Sequence, residues 1–268
     1  GQGVPGAFMS MLGVSFLNEI MASKKELEPG EILTRLKDRV VNELGGENPE
    51  SGTKDGMDAA MVKIPLRKEQ GVSQAERSVR SDRAGNKEEE GGNEKGEAGY
   101  EEGHPQGEDP NPHRTGSETS HPVRFAGAQN PLYVIQEGIT ERGIESLNPS
   151  GSHLDRIYPF KKEGNGVQIK GDPAPVGYDE HQGGDFTTID LDLRSGDMLY
   201  IFSDGYADQF GGPKGKKFRY GPFKRLLHEV HEQEASEQKR ILEERFRNWK
   251  EESQQEQVDD VLVIGIRI

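Results

Sequence analysis

Apolar positions along the first 44 residues recur at helical spacing, and they do so in two separate runs. Phe8, Met11, Leu12, Phe16 and Ile20 follow Pro5, which suits a first helical turn, so the spacing predicts a helix from Pro5 to Met21. Met9, Leu17 and Met21 widen the stripe, which predicts cover on more than one side, from a neighbouring helix or a partner subunit. A second helix starts at Glu28-Pro29-Gly30-Glu31 and places Ile32, Leu33, Leu36, Val40 and Leu44 on one face.

The period then shortens. Lys54 to Pro65 reads as a turn leading into a short strand that Pro65 closes, and Val123 to Ile135 as two short strands about a turn at Gln129-Asn130-Pro131. Ile64 is expected to pair with Phe125. Residues 138–185 read as turn-rich. Phe186 to Leu193 alternates cleanly, and after a turn at Arg194-Ser-Gly-Asp197 the run Met198 to Phe202 reads as a buried strand. The last eight residues form a second β-branched run. Between the two lie two helices, one carrying Phe223, Leu226, Leu227 and Val230, the other capped by Ser236 and carrying Ile241, Leu242, Phe246 and Trp249.

Composition changes this picture at one place. Only 31% of the 268 residues are hydrophobic and 35 are glycine, too little for a core of that size, so part of the chain is expected to stay unfolded. Residues 67–120, with Glu88-Glu-Glu-Gly-Gly and Pro105-Gln-Gly-Glu-Asp-Pro, are the segment with almost nothing to bury. The expected organisation is therefore 1–66, a disordered acidic insert at 67–120, and 121–268, with the insert carried as a long loop. A formal charge of −14 argues against nucleic-acid binding, and the absence of Cys excludes disulfides and thiolate metal sites and fits a cytoplasmic location. No apolar run reaches the roughly 20 residues of a membrane span.

The chemistry gathers at two strand ends. Ser203-Asp204-Gly205 terminates one buried strand, and Asp259-Asp260 leads into the other. If the two strands are antiparallel neighbours, Asp204 and Asp259 converge, and paired carboxylates call for a hard divalent cation. Lys214, Lys216 and Lys217, in the glycine-rich stretch behind Asp204, are candidate contacts for a phosphorylated substrate. Gly1, Gly3 and Gly6 also spell GxGxxG, but no strand precedes them and a helix follows where a second strand would be needed.

Five blocks carry a resemblance: Gly1-Gln-Gly-Val-Pro-Gly-Ala-Phe-Met-Ser10, Lys54-Asp-Gly-Met-Asp58, Phe125-Ala-Gly-Ala-Gln-Asn-Pro-Leu-Tyr133, Ser203-Asp-Gly205 and Val258-Asp-Asp260. In this order they resemble the SpoIIE-like branch of the PPM metal-dependent serine/threonine phosphatases. The resemblance implies an α+β fold, a PPM-type β-sandwich flanked by helix pairs in α-β-β-α layers, with the amino-terminal strands missing from this chain. It implies hydrolysis of phosphoserine or phosphothreonine with two Mn2+ or Mg2+ ions. Asp204 and Asp259 then match metal ligands, Gly1 the residue whose backbone carbonyl joins them, and Asp208 an acid used by some relatives for a third, weaker metal. Gln2 stands where many members have His, and Gln cannot protonate a leaving group.

The partners implied are a phosphorylated regulatory protein such as an anti-sigma-factor antagonist, an upstream sensor domain in the same polypeptide, and a homodimer contact through the first helix pair. The whole would be the output end of a bacterial signalling protein whose parent chain can carry an upstream membrane anchor. The alternative is a catalytically weak pseudophosphatase that serves as a regulated phosphoprotein-binding module.

Overall fold

A computed structural model describes residues 3–23, 26–44, 56–65, 120–136, 154–159, 165–177 and 184–268. All lie in one compact unit, Gly1–Pro65 with Glu118–Ile268. Apart from Ser120, the expected insert lies outside the described residues.

Helices α1 (Gly3–Ala22) and α2 (Pro29–Leu44) come first, followed by strands β1 (Gly56–Met57), β2 (Ala59–Lys63), β3 (Ser120–Ala128), β4 (Leu132–Ile135), β5 (Ile157–Pro159), β6 (Gly166–Ile169), β7 (Val176–Gly177), β8 (Ile189–Arg194) and β9 (Met198–Phe202). The short helix α3 (Gly205–Asp208), a hairpin of β10 (Phe210–Gly211) and β11 (Lys216–Lys217), helices α4 (Tyr220–Val230) and α5 (Ala235–Glu251), and strand β12 (Val263–Arg267) complete the order. One sheet runs β2-β3-β8 and another β12-β9-β4-β6-β5, with every pairing within them antiparallel.

Period-two alternation lets each strand serve two layers. Val123 and Phe125 of β3 and Ile189, Leu191 and Leu193 of β8 meet Leu132, Val134 and Leu199 between the sheets. The opposite face of β3, through Ala126 and Ala128, packs on Met9, Ile20, Leu33, Leu36 and Val40 of α1 and α2. The opposite face of the five-stranded sheet, through Tyr133, Met198, Tyr200 and Phe202, packs on Phe223, Leu227 and Leu242 of α4 and α5. The layers are therefore α-β-β-α, as the resemblance implied.

The structure also departs from the sequence reading. Strands β5 to β7 occupy part of 138–185, where a turn-rich course was expected: each is two to four residues long, too short for a pattern, and is held by its neighbours. Phe125 pairs with Val62 rather than Ile64, a shift of two residues that keeps the same face inward. The alternating strand starts at Ile189, and Phe186 instead packs with the α1/α2 core. Helix α5 has Glu234 at its N-cap with no side-chain cap, so Ser236 sits inside the first turn. On α1, Met9, Gly13 and Ile20 are buried, whereas Phe8, Met11, Val14 and Met21 are exposed.

Helix α2 is seated through its first turn. The Gly30 N–H donates to Thr188 Oγ1 (2.9 Å), while Thr34 Oγ1 donates to the Gly30 carbonyl (2.9 Å) and accepts from the Phe186 N–H (2.9 Å). A Cβ at position 30 would lie 2.3 Å from the Phe186 carbonyl oxygen. Gly30→Ala is expected to destabilise the protein by about 1–3 kcal/mol, read as a lower denaturant midpoint at unchanged slope.

Helix α4 is tied to the sheet by polar groups as well. Tyr133 Oη lies 2.8 Å from His228 Nε2, Lys224 hydrogen-bonds Gln168, and Lys224 Nζ sits 5.0 Å from the Tyr133 ring centroid. Burial, with a smaller push from His231, lowers the His228 pKa to about 4. Below about pH 6.5 the unfolded chain therefore takes up a proton that the folded chain resists, and stability is lost as the pH falls from there towards about 4. Wild-type protein should melt lower at pH 5 than at pH 7, and His228→Gln should show a smaller drop over the same interval.

Candidate metal centre

The site is built at the end of the sandwich where β9 finishes and β12 begins. Those strands pair antiparallel with Val263 opposite Phe202, as expected from the two apolar runs. Beyond the last pair, Ser203 joins the strand ends. Its N–H donates to the Leu262 carbonyl (3.0 Å), and its hydroxyl donates to the Asp260 carbonyl (2.8 Å) while accepting from the Leu262 N–H (2.9 Å). Asp204 and the Asp259-Asp260 pair thus leave adjacent strand ends at the same edge of the sheet.

Gly205 permits the approach. A Cβ there would stand 2.4 Å from the Asp260 carbonyl oxygen. Asp204 is exposed, and its side chain does not cap α3, so its carboxylate is left for other work. Asp259 is half-buried and its Oδ1 accepts from the Asp260 N–H (2.8 Å).

A second acid comes from the other sheet. Asp58 lies between β1 and β2, and its carboxyl pKa is raised first by burial and then by the nearby Asp204 carboxylate. The two sheets therefore each bring one acid to a common field. Tyr220, the first residue of α4, senses the same field: burial, then Asp204, Asp208 and Asp58, push its phenol up to about 12. Its ring stands 6.3 Å from that of Phe202. The sequence reading quoted Asp58 in a motif without giving it a role; the signal was its place before a short strand, mirroring Asp259 before β12.

The remaining candidates divide. Asp208 lies one helical turn after Asp204, its N–H donating to the Asp204 carbonyl (2.9 Å), and its Oδ2 is 2.9 Å from Lys217 Nζ. Lys214 and Lys216 are exposed and form no ion pair with a described residue. Gly1 and Gln2 lie outside the described residues.

The donor set fits a hard divalent ion in kind: every side chain is a carboxylate, and the Asp204 charge helps to raise the Asp58 carboxyl, which a cation would offset. Among the described residues, no three His, Cys, Asp or Glu side chains come close enough together to hold a metal by themselves. A groove of about 660 Å3 between α5 and β12 is lined by Tyr200, Tyr206, Phe246 and Val261 and by none of these acids. No described helix is long and apolar enough to cross a membrane.

Comparison with known proteins bears on the fold and on part of the chain. Residues 153–268 match the family model described as Stage II sporulation protein E (SpoIIE). The solved SiaA-PP2C domain of Pseudomonas aeruginosa is similar over 100% of this chain and 71% of its own, with a TM-score of 0.57 and 18% sequence identity. A phosphatase from a pathogenic strain of Toxoplasma gondii covers 97% of this chain and 84% of its own at 8% identity, but its TM-score of 0.34 is too low to bear on the fold. No curated protein matches the chain.

Proposed function

We propose that the chain, whose residues 153–268 match the SpoIIE family model and whose fold resembles a PP2C domain, is a SpoIIE-like phosphatase domain that hydrolyses phosphoserine or phosphothreonine on a regulatory protein with the help of two Mn2+ or Mg2+ ions. The observation that carries this reading is the junction at Ser203, which sets Asp204 beside Asp259-Asp260 while Asp58 approaches from the other sheet.

Asp204, Asp259 and Asp58 would hold the ions, with the Gly1 carbonyl as a backbone contributor. When bound, the ions supply a water of lowered pKa and positive charge for the phosphoryl oxygens. The chain's own part is to fix these carboxylates on rigid strand ends and to keep the site open at the surface. Lys214 and Lys216, exposed beyond α3, give an approaching phosphate a positive rim. Gln2 offers no proton, so leaving-group protonation falls to water.

An anti-sigma-factor antagonist as substrate, an upstream sensor in the same polypeptide and a cytoplasmic bacterial setting rest on analogy with the family. A homodimer contact through α1 has one further support, the exposed Phe8, Met11, Val14 and Met21. Charged substitutions at Met11 and Val14 in the intact protein should weaken that dimer without unfolding the monomer.

The test of the reading is Mn2+-dependent phosphate release from phosphoserine proteins by the intact protein, with EDTA as the control. Turnover that EDTA abolishes supports it. A folded protein that binds phosphoproteins and releases no phosphate from any of them sinks it in favour of a phosphoprotein-binding module.

A further inference from the structure

The hairpin behind Asp204 presents one lysine to the site in a fixed way. Its turn is made by Gly212 (φ +66) and Gly215 (φ +57), and β10 and β11 pair with Phe210 opposite Lys217. The hairpin is seated on α5: the Gly212 N–H donates to the Trp249 carbonyl (2.7 Å), and Trp249 Nε1–H donates to the Gln209 carbonyl (3.1 Å). A Cβ at Gly211 would stand 2.1 Å from the Trp249 carbonyl oxygen, so this seat accepts no larger residue. The Phe218 N–H also donates to the Gln209 carbonyl (2.9 Å), which fixes the strand immediately after Lys217. The outcome is an ammonium 2.9 Å from Asp208 Oδ2 and 5.8 Å from the Phe210 ring centroid.

We propose that Lys217 serves as a built-in cation at Asp208, occupying the place a further divalent ion would take and leaving the metal centre to Asp58, Asp204 and Asp259. This rests on the metallophosphatase reading of the same site. A carboxylate ligates a hard ion through the oxygen lone pairs that Lys217 now engages, and a tethered ammonium supplies charge without an ion having to be captured and dehydrated. Both side chains are about half exposed, at 45% and 40%, so their pairing is weak and competes only with a weakly bound ion. Lys217 is then a positioning residue for the acid rather than a contact for substrate, which separates it from Lys214 and Lys216.

The experiment is Mn2+ binding to the intact protein by equilibrium dialysis, comparing wild type with Lys217→Met, Lys217→Arg, Asp208→Asn and the double variant Lys217→Met/Asp208→Asn, each checked for folding by its thermal melt in EDTA. Lys217→Met is expected to bind one Mn2+ per chain more than wild type at millimolar Mn2+. The double variant should lose that extra ion, and Lys217→Arg should behave as wild type. Equal Mn2+ binding by wild type and Lys217→Met overturns the proposal, as does loss of an ion from the wild-type complement on Asp208→Asn alone. Absence of Mn2+ binding by wild type and by every variant overturns the metallophosphatase reading as well, so the two failures are distinguishable.

Discussion

Asp204→Asn is expected to keep the fold, lose nearly all metal-dependent phosphate release and forgo most of the stabilisation that Mn2+ gives the wild type. The residue is exposed and makes no capping bond to α3, so the amide removes charge without removing packing. It also relieves the repulsion that Asp58 feels from Asp204, although the burial that chiefly raises Asp58 remains. In EDTA the variant should therefore melt at or slightly above the wild-type temperature.

With Mn2+ present the order should invert. An ion that binds only the folded wild type stabilises it by about 2.7 kcal/mol at a concentration a hundredfold above its dissociation constant, and the variant forgoes most of that. Losing several kcal/mol of charge stabilisation in the reaction lowers turnover by roughly a hundredfold or more. Melts in EDTA and in Mn2+, run beside the phosphate assay, check both halves. A wild type that gains nothing from Mn2+ would count against the site itself, whatever its turnover.

The reason this residue was visible in the sequence is local. Five consecutive apolar residues, Met198 to Phe202, run into Ser-Asp-Gly, and a second apolar run follows Asp259-Asp260; pairing the two needs no knowledge of the rest of the chain. The helices were legible for the same reason, since a stripe such as Phe223, Leu226, Leu227 and Val230 is complete within three turns. The layer order, by contrast, came from resemblance, because periodicity alone does not say which face of β3 meets α2.

What the sequence did not disclose depends on distant parts meeting. Asp58 precedes a strand of the three-stranded sheet and Asp204 follows a strand of the five-stranded one, so their mutual field exists only once the sheets are stacked. Lys217 and Asp208 are separated by a hairpin whose course is set by Trp249, far along α5. Strands β5, β6 and β7 carry too few residues to show alternation, and their pairing partners impose their conformation. Ser203 reads as part of a turn signal, whereas its hydroxyl bonds both strand ends of the site.

That junction makes Gly205→Ala the second large expected effect. The added Cβ would lie 2.4 Å from the Asp260 carbonyl oxygen, 3.0 Å from its carbonyl carbon and 3.3 Å from Val261 Cγ2, and the first two are backbone that cannot swing aside. Relief requires α3 and the start of β12 to part, which strains the Ser203 bonds that hold Asp204 beside Asp259-Asp260. The expected cost in stability is about 1–3 kcal/mol, typical of overpacking a filled site. Mn2+ binding should weaken with it, and turnover should fall by roughly a hundredfold, the size of effect that a misplacement of about 1 Å has on a reacting geometry. Gly184→Ala is the matched control: its Cβ meets nothing within 4 Å, so stability and Mn2+ binding should stay within about 0.5 kcal/mol of wild type. If Gly205→Ala loses stability but binds Mn2+ as wild type does, the strand-end junction supports the fold alone and the ions sit elsewhere.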